Sequence, residues 1–350
     1  MDFRFTNEEE ALKQRIRRIA ETRIAPMAAE VDEMHVVSWE LVRILAQEEL
    51  FRLLYPAEYG GVGLKVVNLC IGREELARVS HHADNLFVQQ GLGSHPIVIA
   101  GTEAQKRKYI PPLAKGDKIA TLAITEHEAG SDVGSIATTA TLEGDHYVLN
   151  GEKRFISHAG DAHTYVVLAK TDPSQRTKGL STFIVEKGMP GFDDSRRMEL
   201  MSPHAIGEPH FIQCRVPREN LLGQLGDGFK IAMRNLDVYR TSVGACAVGL
   251  AQAALEEAVK RAKARVQFGQ PIANFQVIQF KLADMATDIE AARLLVYRAA
   301  SLKDQGQESV TREASMAKLF ATEMASRVAD ESLQIHGGSG LVKGTPIERI

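Results

Sequence analysis

The sequence predicts an α+β fold in which a middle antiparallel β domain lies between an N-terminal α-helical domain and a C-terminal α-helical bundle. Two observations predict it. At both ends of the chain apolar residues recur at three- and four-residue steps, the spacing of an amphipathic helix. From Lys118 to Gly226 that period gives way to short β-branched and aromatic runs separated by Gly, Asp, Pro and Ser. The corresponding domains are residues 1–117, 118–225 and 226–350, the last a four-helix-bundle-like region.

In the N-terminal part Ile16, Ile19, Ala20 and Ile24 form one stripe, Pro26 interrupts it, and Leu41, Ile44, Leu45 and Leu50 begin another. Tyr59-Gly60-Gly61-Val62-Gly63 reads as a turn, because glycine admits backbone angles that side chains forbid. Further helices are predicted over Leu69–Val79 and Thr102–Leu113, the second broken by Pro111 and Pro112.

Strands are predicted at Ile119–Ile124, His146–Asn150, Thr164–Ala169, Ser181–Val185 and His210–Val216. No helix-length segment separates them, so an antiparallel sandwich or barrel is expected in place of a parallel sheet with crossover helices. After Gly226-Asp227-Gly228, Val243, Ala247, Leu250, Ala254 and Ala258 line one helix face, and Phe275, Ile278, Leu282, Met285, Ile289, Ala292 and Val296 line the next. Ala314–Leu333 makes a third helix, and the small residues on these faces permit close packing.

The 350 residues, 44% apolar and 25% charged, suffice for a core in two or three units. Forty-two Lys and Arg against forty-five Asp and Glu leave a net charge of −3, which argues against nucleic acid or an anionic membrane as partner. Arg15, Arg17 and Arg18, set among Glu8, Glu9, Glu10 and Glu21, read as a solvated helix face. Cys70, Cys214 and Cys246 are too few and too far apart for a disulfide framework or CxxC chemistry. A cytoplasmic location is expected, and an organellar matrix protein freed of its presequence would look the same. The first residues, Met1 to Phe5, lack the apolar core of a signal peptide, and no apolar run approaches the roughly twenty residues of a membrane span.

Four segments are candidates for chemistry. In Thr125-Glu126-His127-Glu128-Ala129-Gly130-Ser131-Asp132 a strand enters a loop where Ala129 and Gly130 leave backbone N–H groups open beside the Thr125 and Ser131 hydroxyls, although a simple turn has the same composition. Gly151-Glu152-Lys153-Arg154-Phe155-Ile156-Ser157 sets an aromatic near a hydroxyl, suited either to a planar ligand or to plain core packing. Arg265-Val266-Gln267-Phe268-Gly269 ends a helix, and Arg265 there also complements the helix dipole. Gln334-Ile335-His336-Gly337-Gly338-Ser339-Gly340 ends another; one glycine would be an ordinary cap, whereas three suggest close approach by a backbone or ligand. His81, His82, His204 and His210 have no metal-ligand spacing and read as surface or loop packing. GxGxxG, Walker, GxSxG and HExxH patterns are absent, and no metal is expected.

Together with Tyr55–Gly61, Gly101–Tyr109 and Val216-Pro217 followed by Asn220–Gly223, the Thr125–Asp132, Arg265–Gly269 and Gln334–Gly340 segments fall in an order that resembles the acyl-CoA dehydrogenase family from about Phe5 to Ile350. The resemblance implies FAD. Leu122, Ile124, Thr125, Gly130 and Ser131 match the family loop bordering the flavin, and Phe155 and Ser157 match a second flavin segment. Arg265, Gln267, Phe268, Ile272, Phe275 and Gln276 match residues that reach FAD from a neighbouring subunit, and Gln334, Gly337 and Gly338 match adenosine-pyrophosphate contacts. A homotetramer, a dimer of dimers, is therefore implied, with acyl-CoA as substrate and electron-transfer flavoprotein as acceptor.

The implied reaction removes a proton next to the thioester and a hydride from the following carbon, giving the 2-enoyl-CoA. The family's usual catalytic Glu is expected beyond Ile350, so no catalytic residue is assigned here. A smaller branch carries its base on a helix just before an arginine. That position is Tyr239, a poor base at neutral pH, next to Arg240, and Asp237 lies on a different helix face. Ser131, Tyr239 and Arg240 are the implied substrate contacts. Two alternatives stand beside this reading: a flavin- and acyl-CoA-binding relative without dehydrogenase activity, and an oxygen-using oxidase or monooxygenase of the same fold.

Overall fold

Thr6 opens the first helix. Its hydroxyl accepts the Glu9 N–H at 3.2 Å and the Glu9 carboxylate accepts the Thr6 N–H at 2.8 Å, a reciprocal cap that starts α1 at Asn7–Ile19. The computed structural model describes residues 4–350. As expected the α-helical run is interrupted at Pro26: a π-helical turn over Ala20–Ile24 precedes it, and Pro26 sits in the first turn of α2, Ala25–Val31, where a missing N–H is tolerated. The remaining helices of the N-terminal third are α3 (Trp39–Gln47), α4 (Val66–Ala77), α5 (His81–Ala100) and α6 (Glu103–Ala114).

Pro111 and Pro112 lie inside α6 and do not break it. Tyr109, Ile110, Leu113 and Ala114 are buried around them, and the Pro111 and Pro112 carbonyls still accept from Lys115 and Asp117 at 3.1 and 3.0 Å. The glycine turn is as expected: Gly60 and Gly63 both have φ of +94°, and a Cβ on Gly61 would lie 1.9 Å from the Tyr55 carbonyl oxygen.

Residues group into two compact units. The helical unit takes the chain up to Asp32, Lys65–Asp84 and Asp237–Ile350. It contains α1, α2, α4, most of α7 (Gly228–Ala264), α8 (Gln276–Asp304) and α9 (Thr311–His336). Nearly every residue of α4 is buried, including Arg73, Glu74 and Glu75, and the neighbours answer each charge. Arg73 makes a two-point pair with Asp84 at 2.8 and 2.6 Å and donates to Ser242 Oγ at 3.2 Å. Glu74 accepts from Arg293 Nε at 3.0 Å and from the Tyr297 hydroxyl at 2.9 Å. Arg17, expected on a solvated face, instead grips buried Glu75 with two bonds of 2.9 Å, because α1 packs on α4 and brings one of its three arginines inward.

Asp304, ending α8, caps α4 through the Val66 and Val67 N–H groups at 2.7 and 2.9 Å. Small residues let α7 approach: a Cβ on Gly249 would stand 2.3 Å from the Glu74 carbonyl oxygen. His82, expected at the surface, is buried at the start of α5, with its N–H on Asp32 Oδ1 at 3.2 Å.

The second unit holds Glu33–Leu64 and Asn85–Leu236, with α3, α6 and the larger part of α5. Its strands are β1 (Ala120–Ala123), β2 (Thr139–Glu143), β3 (His146–Glu152), β4 (Ile156–Ser157), β5 (Thr164–Lys170), β6 (Leu180–Glu186), β7 (Phe192–Asp193), β8 (Ile206–Gly207), β9 (His210–Pro217) and β10 (Leu221–Leu222). The main sheet runs β10-β6-β5-β2-β3-β9-β7, with β1 also on β5.

The sheet is mixed, which corrects the antiparallel expectation. β1 pairs with β5 in parallel, Ala120 opposite Thr164 through Ala123 opposite Val167, and β2 meets β5 in parallel at Thr139 and Lys170. Parallel neighbours need a long crossover, and here the β2–β3 hairpin and β4 fill that role without an α-helix. Tyr165, Val166, Val167, Leu168 and Ala169 are consecutively buried, the mark of a strand covered on both faces.

The α4 network generates a prediction. Replacing Arg73 by Met leaves the Asp84 carboxylate buried without a cation and should lower unfolding free energy by about 3–5 kcal/mol, against about 1 kcal/mol for loss of the α4 cap in Asp304→Ala. Urea titrations followed by circular dichroism give both values.

Candidate active site

β1 ends at Ala123, and the following chain folds back on itself as Glu126 N–H donates to the Ala129 carbonyl at 3.0 Å and Ala129 N–H returns the bond at 3.3 Å. Ala129 does not leave the backbone open, as expected, but is buried against Ile136, Leu168 and Leu180. Gly130 and Ser131 beyond it are exposed, and a Cβ on Gly130 would meet nothing within 4 Å. Leu122, Ile124 and Thr125 are half-buried.

The second candidate segment lies beside this loop. The Thr121 hydroxyl donates to the Ser157 carbonyl at 2.6 Å, and Arg154 N–H donates to the Thr125 carbonyl at 2.8 Å. Leu122, Ile124, Thr125, Phe155 and Ser157 are thereby brought together. Phe155 is not core: it is 50% exposed, at a left-handed φ of +57°, with the Arg154 guanidinium 5.1 Å from its ring centre.

Behind the loop lies a buried ion pair. Lys153 Nζ, fully buried, donates to Glu126 Oε1 at 2.7 Å and to the Ile124 carbonyl at 3.0 Å. Glu126 also accepts from the Ala137 and Thr138 N–H groups at 2.5 and 3.0 Å. Burial pushes the Lys153 ammonium down to about 8 despite its partner. Burial works against the Glu126 carboxylate too, but the Lys153 charge and the hydrogen bonds outweigh it and hold the group below the usual range. Neither residue stood out in the sequence, where each reads as an ordinary surface charge. The short polar spacing from the β1 loop to the end of β3 was the available signal.

The other candidates belong to the helical unit. Val266–Gln267 (β11) and Gln270–Pro271 (β12) pair as a hairpin where the sequence reads as a helix end. Its two central residues, Phe268 at φ +52° and Gly269 at +79°, have the signs of a type I′ turn, whose twist suits paired strands. Phe268 is 94% exposed and meets Phe275 edge-on at 6.1 Å, while Arg265, Gln267 and Gln276 are exposed and Ile272 half-buried. At the end of α9, Gln334, Gly337 and Gly338 are exposed, and a Cβ on either glycine would meet nothing within 4 Å. Among the described residues no backbone presses on these two; in this turn Gly340 is the glycine that packing requires, with Leu333 Cδ1 at 2.7 Å from a Cβ placed there. Arg261 Nη2 bonds Ser339 Oγ at 3.2 Å, which ties the end of α7 to this turn.

Tyr239 is buried on α7, and Arg240 stands 3.8 Å from Asp237. Asp237 accepts the Thr311 hydroxyl at 3.0 Å on both oxygens. Among the described residues no group of three or more His, Cys, Asp or Glu could hold a metal ion, and no helix is long and apolar enough to cross a membrane.

Comparison with known proteins agrees with this geometry. Sequence profiles for the acyl-CoA dehydrogenase N-terminal, middle and C-terminal domains match residues 6–117, 121–214 and 226–350. A 3-(aryl)acrylate reductase of Clostridium sporogenes is 44% identical over 349 residues, 99% of this chain and 92% of the relative. A chain in the structure of the electron transferring flavoprotein of Acidaminococcus fermentans is 43% identical with a TM-score of 0.96, covering 100% of this chain and 92% of that one. Butyryl-CoA dehydrogenase of Megasphaera elsdenii is 38% identical with a TM-score of 0.94, covering 100% and 93%. The fold and the matched domains define an oxidoreductase of the helix–sheet–helix type. The chain belongs to the acyl-CoA dehydrogenase family.

The depressed lysine predicts a pH effect. Between about 8 and the ordinary value of 10.5, the unfolded chain holds a proton on Lys153 that the folded chain lacks, so stability from this group rises with pH across that window. Relative to the neutral double variant Glu126→Gln/Lys153→Met, wild type should gain on the order of 3 kcal/mol from pH 8 to 10.5. Urea unfolding of both proteins at intervals across that range measures the difference.

Proposed function

We propose that this protein is a FAD-dependent dehydrogenase that forms the C2–C3 double bond of an acyl-CoA, yielding the 2-enoyl-CoA, and passes the electrons to an electron-transfer flavoprotein. One observation carries the reading: Phe155 and Phe268 are exposed aromatics in left-handed backbone, and within the other candidate segments Gly130, Gly337 and Gly338 leave open space. Such backbone costs of order 1–3 kcal/mol per residue, and an exposed ring returns little of it within the chain. A planar, phosphate-bearing ligand fits both the rings and the open glycines.

On this reading Leu122, Ile124, Thr125, Gly130, Ser131, Phe155 and Ser157 hold the flavin end. Arg265, Gln267, Phe268, Ile272, Phe275 and Gln276, from a neighbouring subunit of a homotetramer, and Gln334, Gly337 and Gly338 hold the rest. Exposed apolar side chains on α8 and α9, Val277, Phe280, Met316 and Leu319, support an assembly of copies. FAD, when bound, supplies the hydride acceptor. The Thr125 and Ser131 hydroxyls orient ring and thioester, and Tyr239 and Arg240 line the acyl group. Asp237 is not assigned as base, since Thr311 and Arg240 occupy its carboxylate.

The 44% identity to a 3-(aryl)acrylate reductase favours a second reading, the same carbon–carbon bond reduced in the opposite direction.

Full-length protein reconstituted with FAD should lose its yellow absorbance when an acyl-CoA of suitable length is added without oxygen. Binding without bleaching at every chain length would point to a non-dehydrogenating relative, peroxide release to an oxidase, and fast reoxidation by an enoyl substrate with no acyl-CoA bleaching to the reductase. A separate check uses Gly130→Val. No atom obstructs the new side chain, so unfolding free energy should stay within about 0.5 kcal/mol of wild type while flavin per polypeptide falls severalfold.

A further inference from the structure

The Ile124–Thr125 peptide follows the last residue of β1, so the sheet does not hold it. Its carbonyl, on Ile124, takes the Lys153 ammonium at 3.0 Å, and the next carbonyl, on Thr125, takes the Arg154 N–H at 2.8 Å. The N–H of the same peptide, on half-buried Thr125, makes no hydrogen bond among the described residues. A cation on the carbonyl polarises the peptide and strengthens the donor at its other end. An unmatched donor at the edge of a built site marks where a ligand acceptor belongs.

Three segments meet at the pair. Glu126 binds the Ala137 and Thr138 N–H groups, Lys153 binds the 124–126 turn, and the Thr138 hydroxyl returns to the Glu152 carbonyl at 3.2 Å. Gly151, at φ +142°, permits that approach, since a Cβ there would sit 2.6 Å from Thr138 Oγ1. Phe155 follows two residues after Lys153.

We propose that Glu126 and Lys153 are positioning residues for the flavin, holding the Ile124–Thr125 peptide so that the polarised Thr125 N–H donates to it, and thereby setting flavin affinity and reduction potential. This rests on the flavin reading above. A buried lysine whose charge burial disfavours gives the fold little net stability, which suits a role in geometry.

The double variant Glu126→Gln/Lys153→Met removes both charges together and so avoids stranding either one. Three quantities are measured: the urea midpoint, the FAD dissociation constant by titration of apoprotein, and the flavin midpoint potential by dye equilibration. The variant should unfold cooperatively, bind FAD about tenfold or more weakly, and have a more negative potential, because a donor that stabilises the reduced flavin is weakened. A folded variant with wild-type affinity and potential overturns the proposal and leaves the pair purely structural. Should the variant fail to fold, hydrogen exchange on wild type decides. FAD should protect the amides of residues 122–128, and unchanged exchange there would overturn the idea. Wild type that takes up no FAD sinks the flavin reading itself, an outcome separate from either of these.

Discussion

Three consecutive charged side chains, Arg73, Glu74 and Glu75, cross the interior of the helical unit on α4, and the placement of its neighbours follows from the need to meet them. A buried charge stripped of its partner is destabilising by several kcal/mol. Accordingly α1 delivers Arg17, the start of α5 delivers Asp84, and α8 delivers Arg293 and Tyr297. The helix α8 is fixed at two points, because Arg293 meets Glu74 and Asp304, about three turns later, caps the start of α4. Sliding α8 by one turn would break both contacts at once. Apolar packing alone tolerates such a slip far better, since the small residues facing α8 are similar from turn to turn.

The same constraint operates in the second unit on a smaller scale. Glu126 and Lys153 bring no area of apolar surface together, and the lysine charge is disfavoured where it sits. What the pair determines is conformation. Backbone from three separate segments converges on one carboxylate and one ammonium, so the loop after β1 has one low-energy arrangement. Two buried networks, one per unit, thus act on register and loop shape, while the apolar core provides the bulk of the driving force.

Much of the architecture was legible because it rests on local periodicity. The stripe Ile16, Ile19, Ala20, Ile24 is buried as spaced; four of the five expected strands lie within β3, β5, β6 and β9, and the fifth, Ile119–Ile124, overruns β1 by one residue at each end. Pairing direction was not legible: whether β1 lies parallel to β5 depends on where a long connection returns, and no residue in either strand encodes it. Proline misled at positions 111 and 112, which stand inside α6 among buried Tyr109, Ile110, Leu113 and Ala114, packing that holds the helix across them. Within the candidate segments Ala129 was mistaken for open backbone because a small residue reads the same in core or loop. Lys153, Glu126 and Arg17 were passed over for a related reason, as charge alone does not say whether a partner waits across the fold.

Phe268 presents the reverse problem, an apolar side chain where the local rules ask for a small polar one. A two-residue type I′ turn favours Asn or Gly at its first position, since a left-handed φ disfavours a bulky side chain. The hairpin β11–β12 nevertheless carries phenylalanine there, 94% exposed, with one edge-on contact to Phe275. Folding of the unit gains almost nothing from that ring, so its own chain does not account for it. Around it stand an exposed cation and two exposed amides, Arg265, Gln267 and Gln276, with the half-buried ring of Phe275, a set able to grip a planar anionic ligand and little suited to a dry protein core. A hairpin that leaves such a set exposed is suited to complete a surface on something else. On the proposed reading that something is a neighbouring copy of the chain, and the exposed Val277, Phe280, Met316 and Leu319 on α8 and α9 are the apolar surface such a copy would cover.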